Sequence, residues 1–258
     1  MSQAQNKHYE LAFFDVAPAK DYEPHAVSYY EQVYRVIHQH APILFTQPIQ
    51  VIELGCGAGN MGKRFVSWNS AASVIGVDIA PAMVNHVRSM GINRYQGILG
   101  DIEDSKLFPG SQFDFVLCPA VLHHFPDPRR VIRNAIHWLR PGGHLLLAEP
   151  NGSSPVNILS KAIRHLLENL ISKEYVLKHF ATPNETDHSQ HLYHNLFISA
   201  NLMLIFSTTF QAEAPPHAGR SFIATTKEIL YKLTAFLPKP WNGSDMIMIF
   251  KKPPLTDN

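Results

Sequence analysis

Ile49-Gln50-Val51-Ile52-Glu53-Leu54-Gly55-Cys56-Gly57-Ala58-Gly59-Asn60 is the stretch whose reading decides the fold. The apolar run Ile49, Val51, Ile52 and Leu54 reads as a strand buried on both faces, the pattern of a parallel sheet. It enters three glycines at alternate positions, where the backbone can turn tightly and lie against a ligand. From Asn60 the residues Met61-Gly62-Lys63-Arg64-Phe65-Val66 open a helix whose first amides face that turn. Strand, glycine turn and helix start form a nucleotide-sized cradle at the carboxyl edge of a sheet. The spacing narrows the ligand. A dinucleotide fingerprint needs glycine at 55, 57 and 60, yet position 60 is Asn and the third glycine is Gly59. A phosphate loop needs Ser or Thr after its lysine, and Lys63 is followed by Arg64. Glu53, two places before the first glycine, would repel a pyrophosphate and would suit a ligand carrying ammonium and sulfonium charges.

Glu53-Leu54-Gly55-Cys56-Gly57-Ala58-Gly59 resembles the first motif of the class I S-adenosylmethionine-dependent methyltransferases. The chain beyond it continues the likeness. Ala72-Ser73-Val74-Ile75-Gly76-Val77-Asp78 is a second strand ending in a carboxylate, placed to accept the ribose hydroxyls of an adenosine on the sheet edge. Pro81 then starts a helix (Met83, Val84, Val87, Met90) that Gly91 ends. A third strand, Arg94 to Gly100, delivers Gly100-Asp101-Ile102, where the resemblance places the adenine. The fourth, Phe113 to Cys118, enters Pro119-Ala120-Val121-Leu122-His123-His124-Phe125-Pro126-Asp127, which resembles the fourth motif of small-molecule methyltransferases. A helix from Arg130 to Leu139, the stop Arg140-Pro141-Gly142-Gly143 and a fifth strand His144 to Glu149 complete it.

The resemblance implies S-adenosylmethionine as cofactor, leaving as S-adenosylhomocysteine. By position it implies cofactor contacts from Glu53, Gly55, Cys56, Gly57, Gly59, Asn60, Asp78, Ile79 and Met83. Gly100, Asp101, Ile102, Cys118, Pro119 and Ala120 join them. It also implies that His123 faces the transferable methyl group as a catalytic residue, with His124 on the substrate side. No asparagine-proline-proline-tyrosine box, the mark of base- and glutamine-modifying relatives, follows the fourth strand.

The other half of the chain carries less signal. Residues 1 to 24 are mixed and read as an arm, followed by a helix from Ala26 to His40 with an apolar stripe of Val27, Tyr30, Val33 and Ile37. Tyr22, Tyr29 and Tyr30 make this entry aromatic, either to pack against the sheet or to touch substrate. Glu149-Pro150-Asn151 ends the fifth strand, with Asn151 assigned to the substrate side. An insertion of about fifty residues then carries the stripe Val156, Leu159, Ile163, Leu166, Leu167 and Leu170, read as a lid helix. His188, His191 and His194 follow at intervals of three. On a helix they would fan over about 120°, and no cysteine or carboxylate pair completes a metal site. A substrate-side polar cluster is the expectation, with His188 or His191 as a proton acceptor and no metal. Asn201 to Phe210 alternates as a sixth strand, Ser221 to Leu237 is helical, and Asp245 to Phe250 is the closing strand.

These elements predict an α/β, doubly wound, seven-stranded Rossmann-like sheet with its last strand antiparallel, an N-terminal helical arm and a helical lid after the fifth strand. The expected organisation is arm plus cofactor half over 1–150, lid over 151–200, and completing strands over 201–258. In a chain of 258 residues, 22 Lys plus Arg against 21 Asp plus Glu give no basic face for nucleic acid. The longest apolar stretch, Leu196 to Phe206, is interrupted and shorter than the about 20 residues a membrane helix needs. Cys56 and Cys118 lie in or beside apolar strands and fit a reducing compartment. Met1 to Lys20 shows no basic start before an apolar core. The expectation is a cytoplasmic enzyme acting on a small molecule, with oligomeric state left open. The competing readings are a nicotinamide-dependent oxidoreductase and a binding protein without turnover.

Overall fold

The computed structural model describes residues 6–15, 27–170, 184–211, 229, 232, 234, 236–239 and 241–255. Tyr22 and nearly all of the helix expected over Ser221 to Leu237 lie outside them. Seven strands form one sheet in the order β3-β2-β1-β4-β5-β7-β6. They are β1 (Gln50–Leu54), β2 (Ser73–Asp78), β3 (Tyr95–Leu99), β4 (Phe113–Pro119), β5 (Leu139–Pro150), β6 (Met203–Phe210) and β7 (Asp245–Lys251). The first five pair in parallel. β7 runs antiparallel between β5 and β6.

The helices are α1 (Lys7–Phe14), α2 (Val27–His40), α3 (Asn60–Trp68), α4 (Pro81–Ser89), α5 (Arg129–Trp138), α6 (Pro155–Leu170) and α7 (Gln190–Ser199). Strand alternation sorts the core into two layers. Ile52, Leu54, Val116, Cys118, Leu145, Leu147, Met246, Met248 and Phe250 share one, with α5 and α7 supplying Trp138, Tyr193 and Phe197. Val51, Phe115, Leu117, Leu146, Ala148, Ile247 and Ile249 share the other, under Tyr29, Tyr30, Val33 and Ile37 of α2 and Phe65 of α3. α6 and α7 stand between β5 and β6, where the lid was expected.

Two boundaries move for physical reasons. β5 begins at Leu139 rather than His144. Phe113 of β4 faces Leu139 and Phe115 faces His144, so Arg140–Gly143 bulges out between them. The bulge stays attached, since the Gly142 amide donates to the Lys252 carbonyl and the Lys252 amide to that of Gly143. β6 begins two residues later than the alternation implied, because Asn201 sits left-handed at φ 63° after α7. The amides of Asn201 and Leu202 bond back to the carbonyls of Ile198 and Phe197, closing the helix end.

Candidate functional site

The carboxyl ends of β1, β2 and β3 lie side by side, with Leu54 opposite Val77 and Asp78 opposite Leu99. Beyond β1 the backbone turns through Gly55, Gly57 and Gly59 at φ 63°, 50° and 74°. At Gly55 a side chain is excluded, since a Cβ there would fall 2.4 Å from Cγ2 of Val121. The glycine turn and the turn after β4 are therefore in van der Waals contact. Asp78 organises the rim. Its Oδ2 accepts from the Gly57 amide at 2.8 Å and its Oδ1 from Ala80 at 2.9 Å. Burial raises its carboxyl above the usual range, while the amides of Ala80, Gly57 and Ile79 pull it back. Asp78 and Ile79 remain half-buried, open enough to meet a ligand.

Asp101 stands one strand over. Its Oδ1 caps a turn by accepting from the Glu103 amide, and the Gly100 amide donates to the Asp78 carbonyl. Met83, Ala58 and Ala80 form a small buried patch beside the glycine turn. Ile102 is buried in the layer of α5, where its carbonyl accepts from Asn134. Asn60 opens α3, its side-chain oxygen accepting from Lys63. Cys56 is buried, and its thiol touches the space a side chain at Gly76 would fill.

Glu53 requires correction. It shares the Val51 face of β1, so alternation points it under α3 rather than out of the strand end. It is 1% exposed and its Oε2 accepts from the Tyr95 hydroxyl at 2.6 Å. Burial pushes its carboxyl up to about 8. Packed under Gly62 of α3 and held by Tyr95, the carboxyl is mostly neutral at pH 7 and has little charge with which to read a cation. Tyr29 and Tyr30 are corrected likewise. Both are buried in the α2 layer, the Tyr29 hydroxyl donating to the Ala148 carbonyl and the Tyr30 ring lying 3.8 Å from the Arg64 guanidinium. Asn151 is buried and clamps the end of β5 by donating to the Gly243 carbonyl.

The arm contributes a helix that crosses this edge. Lys7 pairs with Asp101 and with Glu103. The buried Glu10 accepts from Asn184 at 2.7 Å and lies 3.5 Å from Nδ1 of His124. Burial, ahead of the opposing Asn184 hydrogen bond, pushes its carboxyl up to about 6. Phe14 packs on the Met83 patch and meets the His124 ring edge-on. Asp15 accepts from the Ala82 amide in the first turn of α4.

The second centre of the site follows β4. Pro119 and Ala120 stay half-buried, and Ala120 is left-handed at φ 51°. That conformation costs a residue with a Cβ on the order of 1–3 kcal/mol. Glu149, at the end of β5, holds the strained turn. Its Oε1 accepts from the amides of Val121 (2.7 Å) and Leu122 (2.6 Å), and its Oε2 from the His123 amide (3.3 Å) and Nδ1 (2.7 Å). His123 thereby keeps Nε2 as its remaining ring nitrogen. Burial alone would lower its pKa, but the Glu149 charge and hydrogen bond push it up to about 9. His124, with its ring centroid 4.1 Å away, is held well below the ordinary range by burial and by the neighbouring charge. Glu149 was read only as the end of a strand. The strand-end rule that marks Asp78 would have found it.

Residues 184–193 are stitched onto this turn. The Thr186 amide donates to the His123 carbonyl at 2.7 Å, and His188 Nε2 donates to the Phe125 carbonyl at 3.0 Å. His188 is therefore a buried brace. His191 lies on the exposed side of α7, accepting from Asn195, so it is corrected from proton acceptor to surface residue. His188 stands before α7 and His191 on its outer face, so the histidine triplet does not converge.

Three left-handed glycines, a half-open carboxylate wired to the glycine turn and a second carboxylate on the next strand fit an adenosine-bearing cofactor. A family model described as a methyltransferase domain matches residues 52–147, from β1 into β5. The ubiquinone biosynthesis O-methyltransferase of Serratia proteamaculans is 26% identical over 191 residues, covering 69% of this chain and 72% of that protein. The protein of the same name from Xylella fastidiosa is 28% identical over 134 residues, covering 50% of this chain and 49% of that one. The chain thus spans about half the length of the second relative. A solved S-adenosylmethionine-dependent methyltransferase from Archaeoglobus fulgidus shares the fold at a TM-score of 0.55 and 17% identity, over 86% of this chain and 94% of that one.

Proposed function

We propose, on the premise that the chain carries the methyltransferase domain of the class I S-adenosylmethionine-dependent superfamily, that it methylates an oxygen of a small hydroxylated aromatic acceptor. The observation that carries this reading is the buried Glu149–His123 pair on a turn in contact with the glycine turn. The names of the relatives support oxygen as the target and a quinone-related ring as the acceptor class. The third glycine at position 59 speaks against a dinucleotide.

S-adenosylmethionine, when bound, supplies a methyl group on a sulfonium that departs as a neutral thioether. Asp78 would hold its ribose, the glycine turn would take the methionine end, and Asp101 with Ile102 and Met83 would enclose the adenine. The protein's own contribution is alignment and exclusion of water. Orientation of this kind can account for about 7–11 kcal/mol of a barrier. With that group bound, His123 would take the acceptor hydroxyl's proton on Nε2. Glu149 fixes the ring so that only this nitrogen is available.

Because His123 reaches about 9, its neutral form grows as pH rises through that value. The acceptor kcat/KM should therefore climb from pH 7 and level above about 9. Stability moves the other way. A histidine with a raised folded pKa contributes stability in full below its unfolded value, about 6.5, and loses it as pH rises through about 9. The melting temperature should decline over the window in which activity increases. His123→Ala should flatten both slopes, lower turnover by about 10²–10⁴-fold, and leave S-adenosylhomocysteine affinity within about twofold. An equal fall in turnover and cofactor affinity would transfer His123 from acid–base work to the cofactor pocket.

A further inference from the structure

Each left-handed glycine of the turn after β1 is met by a side chain from a different element. A Cβ at Gly55 would strike Val121 after β4, and the Gly57 amide is held by Asp78 at the end of β2. Gly59 is met by Tyr95, the first residue of β3, and by Val87 of α4. A Cβ at Gly59 would lie 2.9 Å from Cε1 of Tyr95 and 3.1 Å from its hydroxyl oxygen. The same ring fills the space above Gly62 in the first turn of α3, where a Cβ would fall 2.4 Å from Cζ. Its oxygen also lies against Gly76 of β2, 2.8 Å from where a Cβ would stand.

The hydroxyl is fixed in turn. It donates to Oε2 of Glu53 at 2.6 Å, and the Cys56 thiol, inside the glycine turn, is its second partner. Glu53 also accepts from the Gly62 amide, one of the first amides of α3 that have no partner within their own helix. One phenol oxygen thus ties β3 to the end of β1, to the glycine turn and to the start of α3. Glycine crosses between left- and right-handed φ at little cost, so three of them in one turn keep a single shape only under outside constraint. A site that is competent for a fraction of the time binds its ligand more weakly by that fraction.

We propose that Tyr95 is a positioning residue for the cofactor, whose ring and hydroxyl hold the Gly59 end of the turn in its binding shape before the ligand arrives. This rests on the reading of that turn as the seat of S-adenosylmethionine. Tyr95 acts through Gly59, Cys56 and Glu53, and the chemical step does not pass through it.

The test is Tyr95→Phe in the full chain, which keeps the ring and removes the oxygen. Calorimetry should show S-adenosylhomocysteine bound about tenfold more weakly, as for a turn that is competent about a tenth of the time. The KM for S-adenosylmethionine should rise by a similar factor while kcat at saturation stays within about twofold. Amide hydrogen exchange supplies a measurement that needs no ligand. The Gly59 amide donates to the Cys56 carbonyl at 2.8 Å, so its protection reports the closed turn. Its exchange should accelerate in the ligand-free variant, with the amides of β4 and β5 at the parent's rates. Parent-like S-adenosylhomocysteine affinity overturns the proposal. So does acceleration spread evenly over the sheet, which would make the hydroxyl ordinary support for the core. If the parent itself does not bind S-adenosylhomocysteine, the cofactor reading falls. The exchange of Gly59 then decides Tyr95 alone: selective acceleration keeps it as the holder of the turn, and an unchanged rate removes it.

Discussion

The two ends of one sheet edge are built by opposite means. At the β1–β3 end the backbone does the holding. Three left-handed glycines shape the turn, and Asp78 ties it down through the Gly57 amide while its other oxygen accepts from Ala80. At the β4–β5 end side chains distant in sequence do it. Glu149 reaches back 26–28 residues to gather the turn after β4, and His188 braces Phe125 across 63. The first end is a local motif that any adenosine-binding relative can share. The second is assembled by the fold, from residues far apart in the sequence.

The sharpest way to break this comparison is Glu149→Gln. An amide in place of the carboxylate would turn its NH2 toward the amides and the His123 N–H, donor against donor. Removing one partner of a buried charge pair costs about 3–5 kcal/mol. For a domain of this size that lowers the melting temperature by on the order of 10 °C. A fall of less than about 2 °C in a thermal melt would show that the acceptor end does not depend on its long-range clamp.

Asp78→Ala should leave the fold standing and cut S-adenosylhomocysteine affinity by at least about 100-fold in calorimetry. Hydrogen bonds to a charged group are each worth about 1.5–3 kcal/mol, and both the ribose contact and the glycine-turn anchor are lost. Unchanged affinity would remove Asp78 from the cofactor rim. The smallest effect is expected at Glu53. With its carboxyl pushed up to about 8, Glu53→Gln exchanges one neutral group for another. Stability should move by less than about 1 kcal/mol and cofactor affinity by less than about twofold. A tenfold loss would return an ionised Glu53 to the cofactor.

The strand order follows from apolar runs and their breakers, which is why the seven-stranded sheet and its antiparallel β7 could be anticipated. Local signals also located the glycine turn, Asp78 and Asp101, because each sits within a few residues of its own strand end. They misplaced Glu53, since proximity to a glycine motif says nothing about which face of the strand a side chain takes. They misassigned Tyr29, Tyr30 and Asn151 because aromatic and polar residues beside a site have the same composition as the packing beneath it. The histidine triplet assumed one continuous helix. Ser189 caps α7 by accepting from the Leu192 amide, so His188 falls outside it and turns inward while His191 turns out.

By itself, the order of residues determined a parallel, doubly wound sheet and an adenosine-sized turn at its edge, because hydrophobic period and glycine spacing act over a dozen residues or fewer. Only the tertiary structure decided that Glu149 clamps His123, that α1 lays Lys7 against Asp101 and Glu10 against His124, and that Tyr193 is buried in the layer beside the turn after β4. Those pairings join strands and helices through space. Their energies come from burial and from charges brought within a few ångströms, neither of which exists until the chain has folded.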